Sequence, residues 1–267
     1  MKFKKYFQGK PRHILRNSRV LLFRIFFLMA VLPLPSWSQQ HDMHDMKDMP
    51  GVTAKEGANS DEESPEMKAA RLAWKRESEF NHHLAGFLVA LAGGLLLAQG
   101  LLAKRWPSVR YAWSLCFLLA GLFLLVFSDT EIWPFGPQSP WYAITHNAED
   151  LQHKSFAVIL LILGFVEFQR VRGHLKAAWS AWVFPVAALA GAILLLFHSH
   201  GAGLHSPAQM VAMERIQLQH RWYAGLGLGI AVTKGLSETG VRWQKILNKL
   251  WPILLIGLGV LLMAYTE

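Results

Sequence analysis

The chain has 267 residues, 52% of them hydrophobic, and apolar runs of about twenty residues repeat along it, which favours a polytopic membrane protein over a soluble core. The formal charge of +9 would suit a nucleic-acid partner, but eight of the 27 basic residues lie among the first 24 positions, and the other 19 face 18 acidic residues. No polybasic face is therefore left to hold the phosphates of a nucleic acid.

The first element in chain order is a basic segment followed by the apolar run IFFLMAVL and by Ser36 and Ser38, small residues at the spacing that a signal peptidase accepts. We predict a secretory signal peptide over residues 1 to 38, with an uncleaved signal anchor as the alternative. Either version places residue 40 outside the cytoplasm. Residues 39 to 80 then form an exported flexible segment, because residues 50 to 70 are rich in Gly, Ser, Lys and Glu.

The exported segment opens with the tract QQHDMHDMKDMPG, in which an HDM triplet occurs twice. Its histidines and methionines are His41, Met43, His44, Met46 and Met49. Imidazole suits either copper oxidation state and thioether selects Cu(I), so an exported Met/His tract without cysteine is typical of copper capture. The alternative is a flexible polar tail, although solubility alone does not explain the regular methionines.

Residues 81 to 267 predict an all-α membrane domain, a helical bundle with about six transmembrane helices in the lipid bilayer. The predicted spans are residues 82 to 103, 109 to 128, 148 to 170, 177 to 197, 219 to 238 and 247 to 265. Ten lysines and arginines lie in the three connections that an exported N-terminus places in the cytoplasm, whereas residues 129 to 152 contain none. This positive-inside bias predicts a bacterial inner membrane, with the N-terminal tail and the C-terminus on the periplasmic side.

Small residues recur at four-residue spacing in three spans, which predicts close helix packing. They are Gly86, Ala90 and Gly94, then Ala187 with Gly191, and Gly225 with Gly229. Pro185 predicts a bend in the fourth span that frees the carbonyl near Ala181. Cys116, the single cysteine, excludes a disulfide framework within the chain. It is predicted to be a small buried hydrophobic residue, with a soft metal ligand as the alternative.

The histidines concentrate on the predicted outer side. Ten of the twelve lie outside the membrane or at the outer end of a span: His41, His44, His82, His83, His146, His153, His198, His200, His205 and His220. Asn147 is predicted to cap the third span, with Asp150 three residues on. In the fifth span, a predicted metal-binding stripe follows three- and four-residue steps along one helix face, through Met210, Met213, Gln217 and His220.

We predict that this set binds a metal, because desolvated imidazoles on one membrane face need a common reason. The predicted ligands are the five tail residues together with His82, His83, His146, His153, His198, His200, His205, His220, Met210 and Met213. Copper fits these donors, whereas zinc accepts imidazole but has less use for thioether. Acidic neighbours such as Asp129, Glu131 and Asp150 are candidates for further ligands or for acceptors that orient the imidazoles.

A pair of opposite charges is predicted deeper in the membrane. Glu167 lies fourteen residues below His153, and Lys234 lies fourteen below His220, on spans that run in the same direction. Both therefore reach a depth of about 21 Å along the helix axis. We predict an ion pair near the cytoplasmic side, either a structural lock or part of a proton or ion relay.

Four stretches carry a family resemblance: the Met/His tract, THNAEDLQHKSFAVILLILGFVE with His146 and His153, FHSHG with His198 and His200, and LQHRWYAGLGLGIAVTKGL with His220. Over residues 80 to 267 the chain resembles the bacterial copper-resistance protein D group of inner-membrane proteins. The resemblance implies movement of copper from periplasm toward cytoplasm, or its handling at the membrane, alongside a periplasmic copper carrier. Six spans, where some members have more, and a tail of its own are departures.

Three other functions are weighed against copper handling. A b-type haem protein would ligate its iron with facing histidines, His83 with His153 or His198 with His220. A carboxylate-bridged dimetal oxidase is suggested by the spacing of Glu79 and His82, but it normally needs that motif on two helices. An accessory subunit would carry structural histidines only. The chain contains no Walker loop, dinucleotide fingerprint or C-x-x-C-H motif, and an enzymatic activity is not predicted.

Overall fold

The computed structural model describes residues 65–133, 135–197 and 207–266. In this part of the chain all regular structure is helical, apart from one isolated bridge between Ile132 and Gln138. The predicted signal peptide, the Met/His tract, and His198, His200 and His205 lie outside the described residues, as does the side chain of Met210. The all-α class predicted from the sequence is confirmed.

The helices follow the predicted order of spans, with one short helix added before the third. They are α1 (Pro65–Leu102), α2 (Val109–Phe127), α3 (Pro140–His146), α4 (Ala148–Val171), a 3-10 helix (Ala178–Trp182), α5 (Val183–Leu196), α6 (Pro207–Glu238) and α7 (Gln244–Met263). Asn147 caps α4 as predicted, since its side-chain oxygen accepts from the backbone N–H of Glu149 at 2.9 Å.

The first helix is longer than the predicted span. It begins at Pro65, where proline and the acidic Glu66 suit a first turn, and its 38 residues extend for about 57 Å. It thus takes in residues 65 to 80, whose composition predicts a flexible segment. At roughly twice the thickness of a hydrocarbon core, α1 is long enough to continue beyond one face of a membrane.

Within the described residues, five helices are long and apolar enough to cross a membrane: α1, α2, α4, the continuous 3-10 and α5 segment, and α7. The predicted fifth span lies within α6, which has 32 residues and is long enough, but α6 is not among these five. Its polar side chains, including Gln219 and His220, lower its hydropathy. These residues are tolerated because α6 packs against α5 and α7 within the bundle.

The six long helices form a closed ring. In sequence around the ring, α1 packs on α2, α2 on α4, α4 on α5, α5 on α6, α6 on α7, and α7 again on α1. Apolar side chains from all these helices meet in its interior, among them Phe117, Phe184, Ile230 and Leu255. A ring of this kind can enclose side chains that lipid would not tolerate, because each helix has a protein neighbour on both sides.

The predicted small-residue contacts are correct in part. Gly86 meets α7, since a Cβ at this position would lie 2.6 Å from Gly259 O. Further along α1, the residue that contacts α7 is Gly93 and not the predicted Gly94. A Cβ added at Gly94 would have nothing within 4 Å. Gly225 also faces open space. The prediction from four-residue spacing was wrong at these positions. An α-helix has 3.6 residues per turn, so residues spaced four apart drift around the helix and away from the interface.

Pro185 lies at the start of α5. The 3-10 helix ends at Trp182 and α5 begins at Val183, so Pro185 occupies the first turn of α5. The first four backbone N–H groups of a helix have no intrahelical acceptor, and a proline there removes no hydrogen bond. At this position Pro185 removes no hydrogen bond from α5, and the kink and the freed carbonyl near Ala181 stay predictions.

Candidate metal centre

A cavity of about 310 Å³ lies inside the helix ring. Polar side chains line one end, including His82 of α1, His153 of α4 and His220 of α6, and this end is called the histidine end below. Apolar side chains line the rest, down to Phe117 and Phe184. Three of the predicted histidines thus share one cavity although they come from three different helices.

His82 and His220 face each other across this end, with ring centroids 6.1 Å apart and ring planes at 73°. Each Nδ1 bonds the carbonyl four residues earlier, Ser78 O at 2.8 Å for His82 and Ile216 O at 2.9 Å for His220. A carbonyl oxygen only accepts, so Nδ1 carries the proton in both rings. In a neutral imidazole the lone pair is then on Nε2, the nitrogen that a metal would bind.

Tyr265, just beyond the end of α7, completes this arrangement. Its ring stacks on His82 at 3.8 Å between centroids and lies 6.1 Å from the ring of His220. It is fully buried, and its backbone oxygen accepts from His83 Nε2 at 3.0 Å. Sequence reasoning missed Tyr265 because only imidazole, thioether, thiol and carboxylate groups were considered as ligands. The available signal was an aromatic residue that directly follows an apolar span.

His153 belongs to a second cluster at the same end. Its Nδ1 lies 2.7 Å from Asp129 Oδ1, while Lys154 Nζ lies 2.8 Å from Asp129 Oδ2. Ser128 Oγ also donates to Asp129. Burial alone would raise the pKa of the Asp129 carboxyl, but the hydrogen bonds from His153, Lys154 and Ser128 outweigh it and hold this pKa below its ordinary value.

Three carboxylates converge beside this cluster. One oxygen each from Asp129, Glu131 and Asp150 lies within 4.8 Å of the others. Asp129 and Glu131 follow the end of α2, and Asp150 stands in the first turn of α4. Asp150 is buried, and its Oδ2 has no hydrogen-bond partner. The sequence indicated these residues as acidic neighbours, without showing that they meet.

Two predicted ligands lie away from the cavity. His146 is exposed at the end of α3, where its ring stacks on Tyr142 at 4.2 Å and its Nδ1 bonds Tyr142 O at 3.0 Å. His83 is exposed and bonds Tyr265 O, and it does not line the cavity. The suggested haem pair of His83 with His153 is therefore not brought together. The other suggested pair involves His198, which lies outside the described residues.

The predicted stripe on α6 is displaced by one residue. Met213 packs beside Ile216, Tyr223 and Tyr265, while Gln217 is exposed. From Met213, steps of three and four residues lead to Ile216 and then His220, and this path lies on the buried face. The predicted path took the four-residue step first. Met213 therefore contacts the wall that supports His220 and does not line the cavity.

The opposite end of the ring holds Glu167 and Lys234, which line a second cavity of about 460 Å³. Their predicted direct pairing is not what the contacts display. Glu167 accepts from Arg170 at 2.6 Å, and Lys234 donates to Glu238, each within its own helix. Arg170 and Glu238 approach to 4.0 Å and join the two pairs. Glu167 and Lys234 line the same cavity, but each pairs with an i, i+3 or i, i+4 neighbour on its own helix and not with the opposite helix.

A layer of aromatic rings lies between the two cavities. Phe117 and Phe184 line the first, and Trp113 and Trp251 line the second. The rings touch in succession, with centroids 5.7 Å apart for Phe117 and Phe184 and 5.0 Å apart for Phe184 and Trp251. Cys116 is buried in the same core and lines neither cavity, as expected for a small hydrophobic residue.

Fold and site together define an all-helical bundle, with helices able to span a membrane and an internal cavity that has histidines and carboxylates at one end. Comparison of the chain with protein-family models, with curated proteins and with solved structures gave no match.

Proposed function

We propose that the chain is a copper-binding membrane protein that serves copper resistance or homeostasis. The observation that carries this proposal is that His82, His153 and His220, from three helices, line one end of a single cavity. Imidazole nitrogen is a good copper ligand in either oxidation state, and the Nδ1 bonds of His82 and His220 leave Nε2 as their basic nitrogen. The function is binding and transfer, with no covalent step on an organic substrate.

The path of copper begins in the predicted exported tail. There His41, Met43, His44, Met46 and Met49 capture the ion and pass it to the histidine end of the bundle. This assigns the histidine end to the periplasmic face of a bacterial inner membrane, in agreement with the loop charges. The resemblance to the copper-resistance protein D group supports the same assignment and supplies a periplasmic copper carrier as a partner.

The next step depends on the aromatic layer. Because Phe117 and Phe184 close the far end of the histidine cavity, copper reaches the second cavity only if these rings move. Without such movement the protein presents its copper to a partner at the periplasmic face. Transport inward and hand-over outward are thus two outcomes of one site, and they differ in whether the layer opens.

A b-type haem protein is the second candidate. His82 and His220 face each other with ring centroids 6.1 Å apart and would be the pair that holds its iron. The same spacing is usual for two rings in edge-to-face contact, so it does not by itself favour haem. The haem hypothesis gives the Met/His tail no role, and for this reason copper is preferred.

The test is elemental analysis of the detergent-purified full chain from copper-grown cells, with an absorption spectrum of the same sample. The variants are the double substitution His82→Gln and His220→Gln, and the control His146→Gln, which changes an exposed histidine away from the cavity. The tail is intact in all three proteins, so we expect about one copper fewer per chain in the double variant than in the wild type and the control. Equal copper content in the double variant and the wild type, or no copper in the wild type, overturns the proposal. Iron near one per chain with a Soret band establishes the haem protein instead.

A further inference from the structure

The carboxylates at the histidine end are spaced like the ligands of a single ion. One oxygen each from Asp129, Glu131 and Asp150 lies within 4.8 Å of the others. Oxygen ligands stand roughly 2.3–2.6 Å from a calcium-sized cation, so two ligands on opposite sides of it are about 4.6–5.2 Å apart. The three oxygens therefore fit inside one coordination shell of such an ion.

Asp150 gives an independent indication that a cation belongs here. Its side chain is 1% exposed, and Oδ2 has no hydrogen-bond donor in the structure. A buried carboxylate oxygen that loses water without gaining a donor carries an uncompensated desolvation cost. Asp129 differs, because its two oxygens receive hydrogen bonds from His153, Ser128 and Lys154. A metal ion would supply the missing partner of Asp150.

The surrounding charges do not neutralise the three carboxylates. Lys154 contacts Asp129, and His153 adds a positive charge only when it is protonated. The helix dipole of α4 places a partial positive charge of about half an elementary charge at its N-terminus. A net negative charge remains, and it favours a divalent cation.

We propose that Asp129, Glu131 and Asp150 bind a hard divalent cation of the calcium or manganese class, at a site separate from the copper site. The donors are carboxylate oxygens without sulfur, a set that suits Ca²⁺ or Mn²⁺ and not Cu(I). The ion ties the segment after α2 to the first turn of α4. Through Asp129 it also fixes the orientation of His153 at the cavity. The site goes beyond the proposed copper function and does not depend on it.

Manganese is the probe, because Mn²⁺ in solution has an EPR spectrum that broadens when the ion is bound. The copper-free full chain in lipid nanodiscs is titrated with Mn²⁺, with Ca²⁺ as competitor. We expect one Mn²⁺ per wild-type chain, displaced by Ca²⁺, and at least tenfold weaker binding in Asp150→Asn. The matched control is Glu149→Gln, which removes the same charge one residue away and keeps the affinity within about twofold.

A replacement variant and a melting-temperature measurement complete the test. If Asp150→Asn does not yield folded protein, Glu131→Gln replaces it, because Glu131 is exposed and its loss leaves the fold intact. Bound Mn²⁺ should also raise the melting temperature of the wild type and not that of the variant. Absence of wild-type binding up to millimolar Mn²⁺, or equal binding by Asp150→Asn or its replacement, overturns the proposal. The His82→Gln and His220→Gln double variant should bind less copper than the wild type and keep its Mn²⁺ affinity, so the two proposals fail separately.

Discussion

Gly259 on α7 and Gly86 on α1 allow these two helices to meet backbone to backbone. A Cβ at Gly259 would lie 2.4 Å from Ala90 N and 2.5 Å from Gly86 O. Both neighbours are backbone atoms, which cannot rotate out of the way. We therefore predict that Gly259→Ala destabilises the protein, although alanine is the better helix former.

The size of the effect follows from the contact distances. Ordinary contact for a Cβ begins at 3.4 Å, so the helices must separate locally by about 1 Å. A gap of 0.5–1 Å forfeits about a quarter to a half of the dispersion attraction of the atoms that line it, and overpacking typically costs roughly 1–3 kcal/mol. A helix-propensity gain of about 1 kcal/mol offsets part of this cost. The net loss is therefore up to about 2 kcal/mol, or up to roughly 8 °C in melting temperature.

The assay is thermal unfolding of the detergent-purified variants, followed by tryptophan fluorescence. The control is Gly94→Ala on α1, where an added Cβ meets nothing within 4 Å and only the propensity gain applies. Its melting temperature should match or exceed that of the wild type. A Gly259→Ala protein that melts as high as Gly94→Ala would refute the close approach of α1 and α7. Because Tyr265 follows α7 and stacks on His82, the same variant should also weaken copper binding.

Three further predictions concern charge and the aromatic layer. The pKa of Asp129 is lowered, so its contribution to stability is present above the ordinary value of about 3.9 and lost as pH falls through the native value. In melting scans below about pH 4, the wild type should therefore lose more stability than Asp129→Asn. Arg170→Met leaves the buried Glu167 without its cation and should cost about 3–5 kcal/mol in thermal unfolding, and Glu167→Gln in the same chain should restore part of it. Phe184→Ala should speed copper entry into proteoliposomes containing a copper-sensitive dye, and an equal rate in the lipid-facing control Phe165→Ala would contradict a barrier at the layer.

The sequence predicted the helices well because their main signals are local. Length, apolar content and the cap at Asn147 are read within a few residues, and the structure places helices at all six predicted spans. Choices between adjacent residues on one helix were less successful. Gly94 was preferred to Gly93, and Gln217 to Ile216, because a step of three and a step of four both keep a residue near one face. Only the position of the neighbouring helix decides between them.

The sequence predicted the residue types of the candidate site but not their arrangement in space. Histidines at span ends were recognised from their residue type, yet His82 and His153 reach the cavity while His83 and His146 remain exposed. Rotation of each helix about its axis decides this, and no local pattern encodes it. The meeting of Asp129 with Asp150 joins residues from the segment after α2 and from α4. Such a contact depends on the path of the intervening chain, which the sequence pattern did not specify.

The least apolar of the long helices contributes side chains to both internal cavities. The helix α6 is not among the five that length and composition identify as spans, yet it places His220 in the first cavity and Lys234 in the second. Both side chains are buried, at 3% and 8% exposure. Lipid would exclude such a helix, so α6 is stable only because α5 and α7 cover its flanks. The ring of helices is therefore needed for the polar interior to exist. The apolar helices α5 and α7 shield α6 from lipid, and α6 supplies polar side chains that α5 and α7 do not place in the cavities.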